Sequence, residues 1–94
     1  MNFELFDQNT LIRYSKINQK LGEYEEAMLG FRKAFGVNTE NPKPLLYAVE
    51  CALKLKDLDR AKVYLVHLLS KAYKDKHKTV VEEAQRLLDL VLSI

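Results

Sequence analysis

Apolar residues recur at intervals of three and four along most of the chain, with polar residues between them. That is the helical period; a half-buried strand would alternate strictly, and no stretch does. Leu11, Tyr14, Ile17 and Leu21 share one face of a helix expected over 9–21. Tyr24, Ala27, Met28, Phe31, Ala34 and Phe35 stripe a second, over 24–35. A third, over 42–56, has a wide apolar face made by Leu45, Leu46, Ala48, Val49, Ala52, Leu53 and Leu55. A fourth carries Leu58, Ala61, Leu65, Leu68, Leu69 and Ala72, and a fifth, from 79, carries Val80, Ala84, Leu87, Leu88 and Val91.

The breakers fall between these stripes. Gly22 stands where a helix end wants a left-handed residue, and Gly36 is expected to end the second helix. Asn41 suits a cap and Pro42 a first helical position, where a missing N–H costs nothing. Asp57 is placed to cap the fourth helix, and Thr79-Val80-Val81-Glu82 reads as a capping box opening the fifth. The links are short, so sequential helices are expected to be antiparallel neighbours. The class is all-α, five helices in a single domain over 1–94.

The second and fourth helices align on each other at an offset of 34. Leu21-Gly22-Glu23-Tyr24-Glu25-Glu26-Ala27 matches Leu55-Lys56-Asp57-Leu58-Asp59-Arg60-Ala61, and Phe31 matches Leu65. This is the period of a tetratricopeptide helix–turn–helix unit. The run from Leu21 through Ala27, with Phe31 and Ala34, resembles the turn and second helix of such a repeat. The resemblance implies antiparallel hairpins, with Ala27 allowing close approach and Phe31 filling the space between repeats. The fifth helix then resembles the terminal capping helix of an array. The chain departs from the pattern in its two prolines, which come late, and in Ser15 and Asn18, where the family prefers a small residue and an aromatic.

A narrower likeness rests on Asn41-Pro42-Lys43-Pro44-Leu45-Leu46-Tyr47-Ala48-Val49-Glu50-Cys51-Ala52-Leu53, then Leu58, Ala61 and a last helix ending Leu88-Asp89-Leu90-Val91-Leu92. Together these resemble the final part of the small type III secretion chaperones, of the needle-subunit or translocator class. That resemblance implies a protein partner, a secreted subunit or a peptide segment of one, held in a concave face. The alternative is a tetratricopeptide scaffold or adaptor unrelated to secretion. Either reading is compatible with a homo- or hetero-oligomer.

Composition narrows the rest. With 94 residues, 48% apolar and 30% charged, the chain is an ordinary one-core domain. A net charge of +2 is too weak for a dedicated nucleic-acid binder. Cys51 is the only cysteine, so neither an internal disulfide nor a thiolate metal cluster can form, which fits a reducing compartment. The N-terminus lacks the basic and apolar runs of a signal peptide, and no apolar stretch nears the ~20 residues that span a bilayer. A cytoplasmic protein with no membrane insertion is expected.

Catalytic material is thin. Cys51, His67 and His77 are the obvious nucleophile and base candidates, but Cys51 lies among apolar residues and reads as packed. Glu25-Glu26 and Glu82-Glu83 occupy first helical turns, where the dipole favours acids, and adjacent helical positions point apart. No phosphate loop, dinucleotide fingerprint, zinc spacing or Ca²⁺ loop occurs. No enzyme, cofactor or metal is expected. The basic run over 71–78 reads as a solvated loop near a helix C-terminus.

What remains is surface shape. The family resemblance places the first helix of each pair on the concave side. Carried over by register, it assigns Ile12, Lys16 and Gln19 from the first helix, Lys43, Leu46, Glu50, Leu53 and Lys54 from the third, and Val80, Ala84 and Leu87 from the fifth. Ile12, Leu46, Leu53 and Val80 are apolar there, while Leu45, Leu55 and Leu65 serve the core. The cover is either a partner segment or the chain's own Phe3, Leu5 and Phe6. Gly30, mid-helix, costs ~1 kcal/mol against alanine, and a close helix contact would explain it.

Overall fold

The structure is a computed structural model that describes residues 6–94, without the side chains of residues 71 and 72. Among the described residues every regular element is a helix: α1 (Gln8–Lys20), α2 (Tyr24–Val37), α3 (Lys43–Lys54), α4 (Leu58–Leu68), the single turn α5 (Lys71–Lys74) and α6 (Lys78–Leu92). Five long helices match the stripes; α5 is additional. Helices α1 and α2 form one hairpin and α3 and α4 a second. α2 packs on α3, and α6 lies against α4. The molecule measures 37 × 29 × 17 Å, so its thinnest dimension is about two packed helix layers, whose axes sit roughly 8–10 Å apart.

The 34-residue period is present in the backbone. At the first turn Gly22 has φ +79° and at the second Lys56 has φ +58°, both left-handed. The Glu23 N–H donates to the Asn18 carbonyl at 2.9 Å, and the Asp57 N–H to the Ala52 carbonyl at 2.9 Å. Gly22 and Lys56 donate in turn to Gln19 and Leu53, so the two helix ends close in the same way. Ala27 and Ala61 follow, both wholly buried, then Phe31 and Leu65, also wholly buried. Arg60 joins the hairpins: its guanidinium donates to the Glu25 carboxylate at 2.9 and 3.3 Å and to its own helix's Asp57.

One core runs through both hairpins and into α6, from Ala27, Met28 and Phe31 through Leu45, Ala48, Val49 and Ala52 to Leu65, Leu68, Ala84 and Val91. The close contact that Gly30 requires is with α1: a Cβ there would overlap the Ser15 Oγ. Gln8 was not singled out, yet it is the clasp of the first hairpin. Its amide donates to the Ala34 carbonyl at 2.8 Å and the Asn38 carbonyl at 3.0 Å, capping α2, and its Oε1 accepts from Asn41 at 3.1 Å.

Several local expectations are corrected. Leu11 is inward as expected, but Ser15 and not Ile17 or Leu21 is the other buried residue of α1; those two are 59% and 71% exposed. Gly36 does not end α2, which continues to Val37. Leu55 follows α3 as its C-cap and is exposed, so it is not core. Thr79 lies inside α6, whose N-cap is His77 with no side-chain cap, so there is no capping box. α4 stops at Leu68 because Ser70 turns the chain into α5, which brings Tyr73 inward to donate its hydroxyl to the Thr39 carbonyl at 2.6 Å. The 71–78 run is therefore anchored by a buried aromatic, with Lys74, Lys76 and Lys78 exposed around it. The cap at Asp57 is present: its Oδ1 accepts from the Arg60 N–H at 3.1 Å.

Candidate functional site

α6 leans on α4 and only grazes α3. The gap leaves a cavity of about 450 Å³ between the first halves of α3 and α6, within the roughly 300–1,000 Å³ typical of ligand sites. Both helices enter it by their N-terminal turns, so they run side by side in the same direction. From α3 come Lys43, Leu46 and Tyr47; from α6 come Thr79, Val80, Glu82, Glu83 and Arg86. α1 reaches the same place through Lys16, whose Nζ sits 4.5 Å from the centroid of the Tyr47 ring. Tyr47 is held from below by Phe31, ring centroids 5.3 Å apart.

The residues assigned to the concave face by register divide into four groups. Lys43, Leu46 and Val80 meet in the cavity, with Val80 at its floor and only 7% exposed. Ile12, Leu53 and Leu87 are half-buried against the core, Lys16, Glu50 and Lys54 are exposed, and Gln19 is intermediate. Ala84 is a correction: it is 0% exposed and belongs to the core, because the inward face of α6 turns it against the second hairpin. Of the N-terminal residues considered as a cover, Phe6 is half-buried, and Phe3 and Leu5 lie outside the described residues.

Tyr47, Thr79, Glu82, Glu83 and Arg86 line the cavity without having been assigned to it by register. The signal was there for Tyr47: Lys43, Tyr47, Glu50 and Lys54 form an i, i+4, i+7, i+11 stripe beside Leu46 and Leu53. Thr79, Glu83 and Arg86 make the matching stripe on α6 beside Val80 and Leu87. Arg86 donates two hydrogen bonds to Glu83. That contact holds the Glu83 carboxyl below the usual carboxylate range and raises the Arg86 guanidinium.

The nucleophile and base candidates differ in burial, His67 being exposed and His77 half-buried. Cys51 is fully buried, and burial pushes its thiol up to about 11, so at neutral pH it is a packed thiol and not a thiolate. His67 and His77 flank Tyr73 with ring centroids 6.3 and 6.0 Å away, and His67 meets Phe35 edge-on at 5.5 Å. Burial raises the Tyr73 phenol. A second cavity of about 530 Å³ lies beside this cluster against the Asn38–Asn41 loop. Its polar groups are largely engaged in the protein: Asn38 Oδ1 accepts from the Glu40 N–H, Thr39 accepts from Tyr73, and Asn41 donates to Gln8.

Among the described residues, no group of three or more His, Cys, Asp or Glu side chains could hold a metal ion, and no helix is long and apolar enough to cross a membrane. The arrangement offers binding chemistry: an apolar floor, an aromatic face and charged rims. No family model, curated protein or solved structure matches the chain.

Proposed function

We propose that this chain is a non-catalytic, tetratricopeptide-like protein-binding module, a chaperone that holds a segment of a small secreted subunit in the α1–α3–α6 groove. The secreted subunit is of the needle or translocator kind exported by a type III system. The observation that supports this most is the open cavity floored by Leu46, Tyr47 and Val80. Apolar and aromatic groups gathered on one concave surface, rimmed by charges, are the usual mark of an interaction site. Binding energy in such grooves concentrates in a few anchors, each costing about 2 kcal/mol or more when removed.

Leu46 is half-buried at the cavity and Leu53 half-buried two turns further along α3, so a carboxylate at either position can reach water. Leu46→Glu and Leu53→Glu are expected to keep the helical circular dichroism of the parent and to lose the partner. Leu65 is wholly buried, and Leu65→Glu should unfold the domain by burying an unpaired charge. The readout is affinity purification from the native host, with the bound protein identified by mass. One abundant small secreted protein, retained by the parent and lost in both groove variants, is the expected result. If both variants fold and keep it, the groove reading fails.

A second reading, a scaffold unrelated to secretion, draws on the outer faces. Leu29 and Val63 stand 34 residues apart on α2 and α4, and both are exposed, as is Val66. Several unrelated partners that survive Leu46→Glu and depend on Val63 would favour it.

A further inference from the structure

The apolar floor of the groove has rims of unlike charge. On the α1–α3 side stand Lys16, stacked over Tyr47, and Lys43. On the α6 side stand Glu82 and Glu83. Arg86 is bonded to Glu83, which leaves Glu82 as the carboxylate facing the cavity without that neutralisation. Glu50, one turn beyond Leu46, is the acid on the basic side, and Lys54 follows it. The basic rim therefore carries Lys43 at the cavity itself and Lys16 beside it over Tyr47, and the acidic rim keeps a net negative charge.

An occupant of such a groove must present three chemistries at one level: apolar groups downward, carboxylates to one side and cations to the other. An extended strand has only two faces, in alternation. A helix, with 3.6 residues per turn, offers three directions about 100° apart. We propose, building on the groove reading above, that the site takes an amphipathic helix whose apolar stripe is flanked by carboxylates on one side and by lysine or arginine on the other. The rims then fix the direction in which the helix lies: turning it end for end would set its carboxylates against Glu82 and Glu83.

The probes are four synthetic peptides of equal length sharing one leucine stripe. Three are helical, with flanks Glu/Glu, Lys/Lys or Glu/Lys. The fourth has the Glu/Lys composition and two central prolines, which break a helix interior. Binding is read by fluorescence anisotropy at 50 mM NaCl and again at 500 mM. The Glu/Lys helix is expected to bind roughly fivefold or more tighter than either uniform peptide, as a few exposed ion pairs can give. The advantage should fade at high salt, where screening is nearly complete. The double variant Lys16→Glu/Lys43→Glu, with unchanged circular dichroism, should instead prefer the Lys/Lys peptide. Equal affinity for the three helical peptides, all lost in Leu46→Glu, would overturn the charge inference and leave the groove reading standing. Equal binding of the proline peptide would overturn the helix. A concentration-dependent dimer seen by sedimentation, and dissociated by Leu46→Glu, would make a second copy of the chain the occupant and overturn the proposal. Failure of all four peptides to bind would overturn it as well, and retention of a native partner lost in Leu46→Glu would still separate that from failure of the groove.

Discussion

The two hairpins share a backbone and fill it differently. Gly22 and Lys56 turn alike, Ala27 and Ala61 are buried alike, and Phe31 and Leu65 sit in equivalent core positions. Between the helices the pairs diverge. In the first hairpin Ser15 meets Gly30 with no room for a side chain. Thirty-four residues on, the same places hold Val49 and Tyr64, both buried. α1 and α2 accordingly pack more closely than α3 and α4 do. Each hairpin also buries one hydroxyl without a hydrogen-bond partner, Ser15 Oγ in the first and Tyr64 OH in the second. The repeat thus resides in the turn and in the alanine and large apolar positions, while one facing pair sets how closely each hairpin shuts.

The largest test of that division acts on the shared part. Phe31→Ala should cost about 3–5 kcal/mol and Leu65→Ala about 2–5 kcal/mol, since both empty fully buried positions. Urea unfolding checks this, with the midpoint falling and the slope unchanged. A cost below about 1 kcal/mol at either site would mean that the two positions are not equivalent.

The seam itself comes next. Gly30→Ala must displace the Ser15 hydroxyl or push the helices apart, and should destabilise by about 1–3 kcal/mol in spite of the better helix propensity of alanine. In α2 a second glycine gives the control. Nothing lies within 4 Å of a Cβ on Gly36, so Gly36→Ala should be neutral or stabilise by up to ~1 kcal/mol. The pair Gly30→Ala and Ser15→Ala should be coupled by more than about 0.5 kcal/mol in a double-mutant cycle, and Gly36→Ala and Ser15→Ala should not.

Smaller still are the buried hydroxyls. Ser15→Ala and Tyr64→Phe each remove a polar atom that has no partner, so each should be neutral or stabilising by about 1 kcal/mol. A clear loss in either would show that the hydroxyl is bonded in solution, through water.

These particulars explain what could be read from the chain. The helices, their hairpin pairing and the buried Ala27, Phe31, Ala61 and Leu65 follow from period and offset, which large apolar side chains report directly. The inward face of α1 was legible at Leu11 but not at Ser15, a small polar residue that hydrophobic patterning ignores; Ile17 and Leu21 drew the stripe outward instead. The single turn α5 is tied to the loop before α3 by a bond from Tyr73 to a backbone carbonyl 34 residues away, which has no local signature. At the groove, Lys43, Leu46 and Val80 came from register alone; Tyr47 and the α6 rim lie on adjacent helical stripes, but that those stripes meet needed the angle between α3 and α6. That angle is set by packing on α4.

The smallest expected effect probes the turns, where the hairpins are most alike. Lys56 holds φ +58° with a side chain, and Gly22 holds φ +79° without one. A left-handed backbone costs an L-residue about 1–2 kcal/mol, and glycine avoids that cost. Glycine also loses more chain entropy on folding, by roughly 0.4–1 kcal/mol, which offsets part of the gain. Lys56→Gly should therefore stabilise the domain by about 0.5 kcal/mol. Nothing lies within 4 Å of a Cβ on Gly22, so Gly22→Lys meets no steric obstacle and should cost about the same 0.5 kcal/mol through the backbone alone. The two substitutions exchange the turns of the hairpins, and the doubly substituted chain should melt within about 1 °C of the parent if the two effects cancel. An imbalance would locate a difference between the turns that their shared dihedrals and hydrogen bonds do not contain, most directly a contribution of the Lys56 side chain.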